Sequence, residues 1–257
     1  MKMNRQIDIM GIVNVTDDSY FAESRCSDTD AVLRRVSRMV EDGVDIVDIG
    51  ACSSRPGSVP VGADEEWRRL APVLPAVREA FPDLRISVDT YWASVVSRTY
   101  DSIGDFIVND ISAGDDDPDM LSLVGSLGLE YVAMHKCPDR GVIPYFKDFA
   151  AKAEKYGIKD WILDPGFGFA KTVEQNYEVL AGIPDIIASL RDVSARVLVG
   201  VSRKSMIYKP LGITPEEALP ATQAIHMAAL LAGADILRVH DVKEARQTSD
   251  LYKMLIR

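Results

Sequence analysis

The feature that most constrains the fold is an alternation of strand-like and helix-like segments that repeats eight times along the chain. The strand-like segments are short apolar runs at residues 7–13, 44–49, 84–88, 105–108, 131–134, 162–164, 196–201 and 235–240. The segments between them have apolar residues at helical spacing, at residues 31–40, 63–80, 92–100, 118–128, 145–156, 173–190, 215–232 and 243–255. Because neighbouring parallel strands need a crossover of about this length, we predict a (β/α)8 TIM barrel of the α/β class, forming one domain over residues 1–257. A doubly wound parallel sheet is the alternative.

Polar or charged residues follow most of the strand-like segments. They are Asn14, Ser54 with Arg55, Asp89, Asn109, His135, Asp164, Lys204, and Arg238 with His240. In a (β/α)8 barrel the carboxyl ends of all the strands surround one pocket, so residues that are far apart in sequence can contact the same ligand. The sequence therefore predicts a ligand site at this end of the barrel.

Residues 162–171 show how one strand end is prepared for this role. The apolar run ends in Asp164, and Pro165, Gly166 and Gly168 follow at once. Proline stops the strand and glycine accepts backbone angles that other residues resist, so the Asp164 carboxylate is left at the lip of the barrel. An ordinary strand-to-helix loop would show the same pattern, and the repetition of polar strand ends is what favours a site.

Charge and cysteine content exclude several classes of protein. A formal net charge of −10 opposes binding of nucleic acid over a broad face, because that requires a basic surface. The cysteines Cys26, Cys52 and Cys137 lack a CxxC spacing, which predicts free thiols and neither a zinc site nor a disulfide framework. The chain has no apolar run long enough to span a membrane, and residues 1–6 lack a signal-peptide core. We therefore predict a cytoplasmic protein with no membrane partner.

The predicted site residues fall into two chemical groups. Asp89, Asn109 and Asp164 offer acceptors and an amide that match the donor-rich edge of a planar nitrogen heterocycle. The cationic residues, which suit phosphate groups, are Arg55, Lys204, Arg238 and His240. Together the two groups predict a ligand that combines a nitrogen heterocycle with an anion.

Other polar residues have simpler interpretations. Asp48 is interpreted as a structural carboxylate and His226 as a packing residue, because His226 lies in an apolar helix. The acidic run 115–117 is interpreted as a solvated helix start. Arg35, Arg68 and Arg69 are interpreted as surface charges.

The motifs around these residues resemble those of the dihydropteroate synthases. The matching segments are residues 10–16, 48–50, 54–57, 87–90, 109–112, 134–135, 163–171, 200–205 and 238–242. They extend from one end of the chain to the other, and the Ser-Arg-Lys-Ser loop at 202–205 and the Arg-x-His motif at 238–240 are the most specific. The resemblance implies a single pterin-binding barrel domain. It also implies a transferase of folate biosynthesis that joins 6-hydroxymethyl-7,8-dihydropterin diphosphate to p-aminobenzoate, giving 7,8-dihydropteroate and pyrophosphate.

The resemblance further implies a role for each matching residue. The pterin would be held by Asp89, Asn109, Asp164 and Lys204. The diphosphate would be bound by Asn14, Arg238 and His240, with Mg2+ near Asn14, and neither Arg238 nor His240 would touch the pterin ring. The p-aminobenzoate site would be lined by Ser54, Arg55, Pro56, Phe169 and Ser205. The catalytic residues would be Asp89, Lys204, Arg238 and His240. The resemblance also implies that the protein is a homodimer and belongs to a family that sulfonamide drugs target.

Two other functions stay open at this point. The methyltetrahydrofolate-binding domains of corrinoid methyltransferases have a similar barrel and Asp/Asn pocket, but they should not need a cationic group such as Arg238 with His240. A catalytically inactive barrel that acts as a binding protein is opposed by the intact strand ends. The first loop departs from the family pattern, because Thr16-Asp17-Asp18-Ser19-Tyr20 stands where Thr-Pro-Asp-Ser-Phe is usual.

Overall fold

The structure is a computed structural model that describes residues 6–15, 29–51, 61–137, 139–190, 193 and 196–256. Its strands are β1 (Asp8–Asn14), β2 (Ile46–Gly50), β3 (Arg85–Asp89), β4 (Ile107–Asp110), β5 (Glu130–Met134), β6 (Trp161–Asp164), β7 (Arg196–Val199) and β8 (Ile236–Val239). Each strand pairs in parallel with its neighbour in sequence, and β8 pairs with β1 to close the barrel. The predicted (β/α)8 fold is confirmed, and the doubly wound alternative is excluded because an open sheet has two edges.

Helices cover the outside of the barrel. In the described ranges they are α1 (Thr29–Glu41), α2 (Ala63–Leu70), α3 (Val73–Ala80), α4 (Ala93–Ile103), α5 (Met120–Leu127), α6 (Val142–Tyr156), α7 (Val173–Ala181), α8 (Ile183–Ser189), α9 (Ser205–Leu211), α10 (Leu219–Ala232) and α11 (Val242–Leu255). The break that the sequence predicts near Gly182 separates α7 from α8. Among the residues that the structure describes, no helix is both long and apolar enough to cross a bilayer.

Three helical segments differ from the prediction. The single helix expected over 63–80 is interrupted at Ala71 and Pro72, because proline lacks the N–H that would continue the hydrogen-bond ladder. The helix expected from residue 215 starts at Leu219, with Pro220 in its first turn, where a missing N–H costs nothing. Helix α9 was not predicted, because it is short and contains Pro210.

Some of the polar interpretations also need correction. Asp115 and Asp116 are exposed, but they form ion pairs with Lys152 and Lys136 at 2.8 Å, and helix α5 begins only at Met120. Arg35 and Arg69 are half-buried and donate to backbone carbonyl groups, those of His240 and Ala51.

His226 is fully buried, as a packing residue should be. Cys137 is a free thiol, whereas Cys26 and Cys52 lie outside the described residues.

A layer of apolar side chains fills the barrel at mid-height. Seven residues, each 3% exposed or less, form this apolar belt: Met10, Ile46, Ile107, Val132, Ile162, Leu198 and Ile236. Successive side chains of a strand point to opposite faces, so residues two positions before or after a belt residue also face the interior. The belt therefore separates two interior layers, one at each end of the barrel.

The layer at the amino ends of the strands is an ion-pair network. Asp8 is fully buried, lies two residues before Met10, and accepts hydrogen bonds from Arg85 at 3.0 Å and Arg196 at 2.8 Å. Arg85 also donates to Glu130 at 2.5 Å. These contacts pair the Asp8 carboxylate with two guanidinium groups, so the buried charge is compensated. This end of the barrel is thus stabilised by its own side chains, and the other end is where a ligand site is expected.

Candidate functional site

Five polar residues belong to the interior layer at the carboxyl ends of the strands. Asp48, Asn109, Asp164 and Arg238 each follow a belt residue by two positions, and Asp89 ends β3 on the same face. Successive side chains of a strand alternate between its two faces, so a residue two positions after an apolar-belt residue also points into the barrel and reaches the mouth. The structure therefore brings together the predicted residues Asp89, Asn109, Asp164 and Arg238.

A hydrogen-bond network centred on Asp48 connects four of the strands. The fully buried Asp48 accepts from Ser87 Oγ at 2.6 Å with Oδ1, and from Asn109 Nδ2 at 3.0 Å with Oδ2. Arg238 donates from Nε to Asp48 Oδ2 at 2.7 Å and from Nη2 to Asp89 Oδ2 at 2.9 Å. Asp48 is thus a structural carboxylate, as interpreted from the sequence, and it fixes both an amide and a guanidinium of the mouth.

The network makes neighbours of the two chemical groups that the sequence predicts. The guanidinium of Arg238, which is predicted to bind the anion, bridges Asp48 and Asp89, and Asp89 is predicted to bind the heterocycle. The chemical type of a residue does not reveal which side chains become neighbours when the barrel closes. Burial raises the pKa of Asp89 to about 7; Arg238 opposes the shift, and the carboxylates of Asp48, Asp110 and Asp164 add to it.

The loop after β6 holds Asp164 in the way that its glycines predict. Asp164 Oδ1 accepts from the Gly166 N–H at 2.7 Å, and burial raises the Asp164 pKa while Lys204 opposes the shift. Gly166 has φ of 72°, and a Cβ there would lie 2.0 Å from the carbonyl oxygen of His135. No other residue fits at that position without moving the adjoining strand end. The loop thus fixes the Asp164 carboxyl at the mouth.

Lys204 reaches this loop from the end of β7. Its Nζ donates to the carbonyl oxygen of Phe167 at 2.5 Å and lies 4.9 Å from the centre of the Phe169 ring. Burial lowers the pKa of Lys204 to about 8, although the neighbouring Asp164 favours the charged form. The Lys204 ammonium therefore loses its proton at a pH only slightly above neutral. It lies beside the Asp164 carboxyl group and the face of the Phe169 ring.

His240 directly follows β8, two positions after Arg238. Its backbone N–H donates to Ser202 Oγ at 3.3 Å, and its carbonyl oxygen accepts from Arg35 at 2.7 Å. Burial lowers the pKa of His240 to about 3, with Asp241 opposing the shift and the nearby arginines adding to it. The imidazole is therefore neutral at physiological pH, so Arg238 supplies the positive charge of this pair.

The comparison with known proteins agrees with this arrangement. The sequence family described as pterin binding enzyme matches residues 10–240. The dihydropteroate synthase of Clostridium beijerinckii is 33% identical over 259 residues, covering 97% of this chain and 94% of that protein. The Yersinia pestis dihydropteroate synthase, solved with a sulfonamide drug complex, superposes with a TM-score of 0.89 at 31% identity, over 98% of this chain and 94% of that one. The Clostridium difficile dihydropteroate synthase, solved in the presence of pteroic acid, gives 0.87 at 34% identity, over 100% of this chain and 99% of that one.

The chain belongs to the dihydropteroate synthases. The other positions that resemble the motifs of this family are only partly described. Asn14 is half-buried at the end of β1, Phe169 is half-buried in the loop after β6, and Ser205 is the first residue of α9. The predicted p-aminobenzoate residues Ser54, Arg55 and Pro56 lie outside the described residues, as does most of the first loop, residues 16–28.

His135 does not reach the mouth of this dihydropteroate synthase barrel. It follows the interior residue Met134 by one position, so it faces the helices, where its ring packs 5.0 Å from that of Tyr145. Its Nε2 lies 2.7 Å from the carbonyl oxygen of Arg140. The prediction that His135 lines the mouth with the other strand-end residues is therefore wrong, because its ring contacts the loop and helix that follow β5.

Several residues that organise the site were missed from the sequence. Lys171 donates to the carbonyl oxygens of Gly166 at 3.0 Å and His135 at 3.2 Å, and so joins the loops after β5 and β6. Arg203 and Asp241 form an ion pair at 2.8 Å between the loops after β7 and β8. All three residues lie within the matching motif segments, and Arg203 and Asp241 directly adjoin the predicted site residues Lys204 and His240. The sequence does not show which contacts these residues make.

Mg2+, which the resemblance to the dihydropteroate synthases implies, would need oxygen donors at the mouth of the barrel. Among the described residues there is no group of three or more His, Cys, Asp and Glu side chains that could hold a metal ion. The amide oxygen of Asn14 is one hard donor at the mouth, which fits Mg2+ because this ion keeps several water ligands and binds substrate phosphates. A single protein donor such as Asn14 therefore suffices for a Mg2+ ion whose other ligands would be diphosphate oxygens and water.

Glu66 makes folding stability depend on pH. Its side chain is fully buried in α2, and burial raises its pKa from 4.5 to about 7. Between these pH values the folded protein keeps a proton that the unfolded chain releases, so the free energy of unfolding falls as pH rises from about 4.5 to about 7. We expect Glu66→Gln to remove this contribution, which is roughly 3 kcal/mol for a shift of this size.

The measurement is urea unfolding of both proteins at pH 5 and pH 8. The wild-type protein should lose stability between the two pH values relative to Glu66→Gln, because glutamine does not titrate. Parallel pH dependence of the two proteins would show that Glu66 is ionised in the folded state.

Proposed function

We propose that this protein condenses 6-hydroxymethyl-7,8-dihydropterin diphosphate with p-aminobenzoate to form 7,8-dihydropteroate and pyrophosphate. The observation that carries the proposal is the interior layer at the mouth, in which two carboxyl groups, Asp89 and Asp164, adjoin two cations: Arg238 of the same layer and Lys204 from the loop after β7. A heterocycle with donors on one edge and a diphosphate on its side arm matches this layer. Family membership supports the same reaction.

The pterin would bind on the Asp164 side of the mouth. The Asp164 carboxylate would accept from the 2-amino and ring N–H groups, and Asn109 would contribute its amide oxygen because its Nδ2 is already bonded to Asp48. Lys204 would donate to the carbonyl side of the ring. When the pterin binds, the Lys204 ammonium would leave the Phe167 carbonyl oxygen and donate to the ligand. Because the ammonium is already bonded to protein, the cost of removing water from it on binding is small.

The chemistry would be a dissociative substitution at the methylene group that carries the diphosphate. The C–O bond to the diphosphate breaks as Arg238 opposes the growing negative charge, and the Asp89 carboxylate stabilises the developing cation on the pterin side. The arylamine nitrogen then forms the new C–N bond and one of its protons is released. Arg238 would thus act on both charges that separate, since it is already hydrogen-bonded to Asp89.

We propose that Mg2+ enters with the diphosphate and is contacted by Asn14. When bound, the ion neutralises charge on the leaving group. His240 would donate a hydrogen bond to the same phosphate as a neutral imidazole, in keeping with its low pKa of about 3.

The p-aminobenzoate would be received on the Phe169 and Ser205 side of the mouth. The Phe169 ring lies beside Lys204 Nζ and Ser205 begins α9, so an aromatic face and a hydroxyl adjoin the predicted pterin site. The contributions of Ser54, Arg55 and Pro56 stay predictions. A sulfonamide, which resembles p-aminobenzoate in shape and charge, would compete for the same place.

The test of the proposed function is release of pyrophosphate from the pterin diphosphate, measured with and without p-aminobenzoate in buffer containing Mg2+. We expect release that depends on the arylamine and equals the dihydropteroate formed. A methyltetrahydrofolate-type domain would show no preference for the diphosphate over hydroxymethylpterin. Absence of turnover together with equal affinity for these two ligands would contradict the proposal.

The pKa of Lys204 gives a prediction for the pH dependence of pterin binding. As pH rises through about 8, Lys204 loses the proton with which it would bind the pterin, so affinity should fall about tenfold by pH 9. Lys204→Arg keeps its charge over this range and is the control for titration of the ligand itself. The ratio of wild-type to Lys204→Arg affinity, measured by calorimetry from pH 7 to pH 9, should therefore decrease. A constant ratio would exclude Lys204 as the titrating donor.

We also propose a cytoplasmic homodimer that uses the outer face of α10 and α11. These helices pack on each other and carry the exposed apolar side chains of Leu231, Leu251, Met254 and Leu255. Exposed apolar side chains grouped in this way are typical of association surfaces. Light scattering should give twice the chain mass for the wild type and the monomer mass for a Leu251→Glu/Met254→Glu variant.

A further inference from the structure

The loops after β7 and β8 are joined by a dense set of hydrogen bonds around Arg203. Its guanidinium donates from Nε and Nη2 to the two carboxylate oxygens of Asp241, at 2.8 and 2.9 Å. Its Nη1 donates to the carbonyl oxygens of Pro215 and Glu216, at 2.8 and 2.7 Å. The pair is almost fully buried, with side chains 7% and 11% exposed. A bidentate contact of this kind fixes orientation as well as distance.

The backbone of Arg203 is also held in an unusual conformation. Its φ is 53°, in the left-handed region that residues other than glycine seldom occupy. The backbone N–H donates to Thr222 Oγ1 at 3.2 Å, which anchors the turn to α10. Conformations of this kind persist where the surrounding contacts determine them, and they occur mostly at functional sites.

The two partners adjoin the residues that would grip opposite ends of the substrate. Arg203 directly precedes Lys204, whose ammonium is proposed to bind the pterin, and Asp241 directly follows His240, which is proposed to bind the diphosphate. A second contact reinforces the connection, because the Ser202 hydroxyl accepts from the His240 N–H. The two binding residues are thus carried on loops that are locked together one residue away.

We propose that Arg203 and Asp241 are positioning residues that set the distance between the pterin-binding Lys204 and the diphosphate-binding His240. The inference rests on the proposed function of those two residues. Neither member of the pair touches the substrate; the pair makes the two loops one rigid unit.

This role predicts a specific energetic signature. A ligand that binds only one loop needs only that loop in place, whereas the linked substrate gains from having both subsites at a fixed separation. We call the Arg203–Asp241 pair the clamp. Its loss should weaken binding of the pterin diphosphate more than binding of the pterin alone or of pyrophosphate alone. A general loss of structure would weaken all three ligands together.

The test compares three ligands by calorimetry in buffer containing Mg2+: hydroxymethyldihydropterin, inorganic pyrophosphate and the pterin diphosphate. The variants are Arg203→Lys, which keeps the charge but cannot form the bidentate contact, and Asp241→Asn, which keeps the shape. We expect each variant to bind the pterin diphosphate about tenfold or more weakly while its affinity for each fragment changes less than about threefold. Thermal unfolding identifies which variants are folded at the temperature of the titration.

Arg246→Lys is the matched control. Arg246 contacts the Asp45 carboxylate and donates to the Gly43 carbonyl at the amino end of β2, away from the mouth. The Arg246→Lys substitution should lower the unfolding temperature without changing the ratio of the affinities for the three ligands.

Equal weakening of all three ligands by the clamp variants, or no change in any of them, would overturn the clamp. The proposed function fails separately, if wild-type protein binds the pterin diphosphate no more tightly than its fragments.

Discussion

The Arg238→Gln variant should turn over the pterin diphosphate about a hundredfold to a thousandfold more slowly than the wild type. Arg238 is the charged group of the proposed diphosphate site, since the pKa of His240 is about 3, and it opposes a negative charge that grows in the transition state. Binding should weaken less than turnover, because ground-state diphosphate is also held by Mg2+ and solvent. Single-turnover measurements of pyrophosphate release separate the two effects.

The same substitution should destabilise the protein. Without Arg238, the fully buried Asp48 carboxylate loses its counter-charge, and removal of one partner of a buried ion pair costs about 3–5 kcal/mol. The Asp48→Asn/Arg238→Gln double variant removes both charges and should recover most of this stability. It should not recover turnover, and a double variant that is both stable and fully active would contradict the role of Arg238.

Affinity for any pterin should fall by about 1.5–3 kcal/mol in the Asp164→Ala variant, and by more if pterin donors stay buried without an acceptor. Asp164 is held by the Gly166 N–H at one oxygen, so its other oxygen is oriented before the ligand arrives. The wild-type protein therefore loses little side-chain freedom on binding. Calorimetry with hydroxymethyldihydropterin measures the difference without the diphosphate.

Asp160→Asn is the control for Asp164→Ala. Asp160 directly precedes β6, is exposed, and lies at the amino end of the barrel, so its substitution should leave pterin affinity unchanged. An Asp164→Ala protein that binds pterin as tightly as this control would remove Asp164 from the site.

The positions of the site residues could be predicted because they depend on local rules. Asn109, Asp164 and Arg238 follow short apolar runs, and the two-residue period of a strand sets which face each side chain occupies. The same rule, applied more strictly, would have excluded His135, which is one position out of phase with its strand's interior residues. The glycines at 166 and 168 were also informative, because both have φ values that other residues resist.

The partners of these residues could not be predicted in the same way. Arg238 contacts Asp48 and Asp89 across 190 and 149 positions of sequence, and Arg203 contacts Asp241 across 38. Nothing local in the sequence shows which carboxylates these arginines meet, and the same holds for Arg85, which contacts Asp8 at the opposite end of the barrel. The effect on ionisation follows from the same contacts, since burial and neighbouring charges shift the pKa values of Asp89 and Lys204.

The order of strands and helices, the end of the barrel that is predicted to carry the site, and the family all follow from the amino-acid sequence. These follow from short-range patterns of apolar spacing, proline, glycine and contiguous motifs. Three features became visible only in the folded chain: the carboxylates and cations form one network, His135 faces the helices, and the loops after β7 and β8 are joined by the Arg203–Asp241 pair. The physical reason is barrel closure, which makes neighbours of side chains from distant strands and removes them from water, so that their charges act on each other strongly.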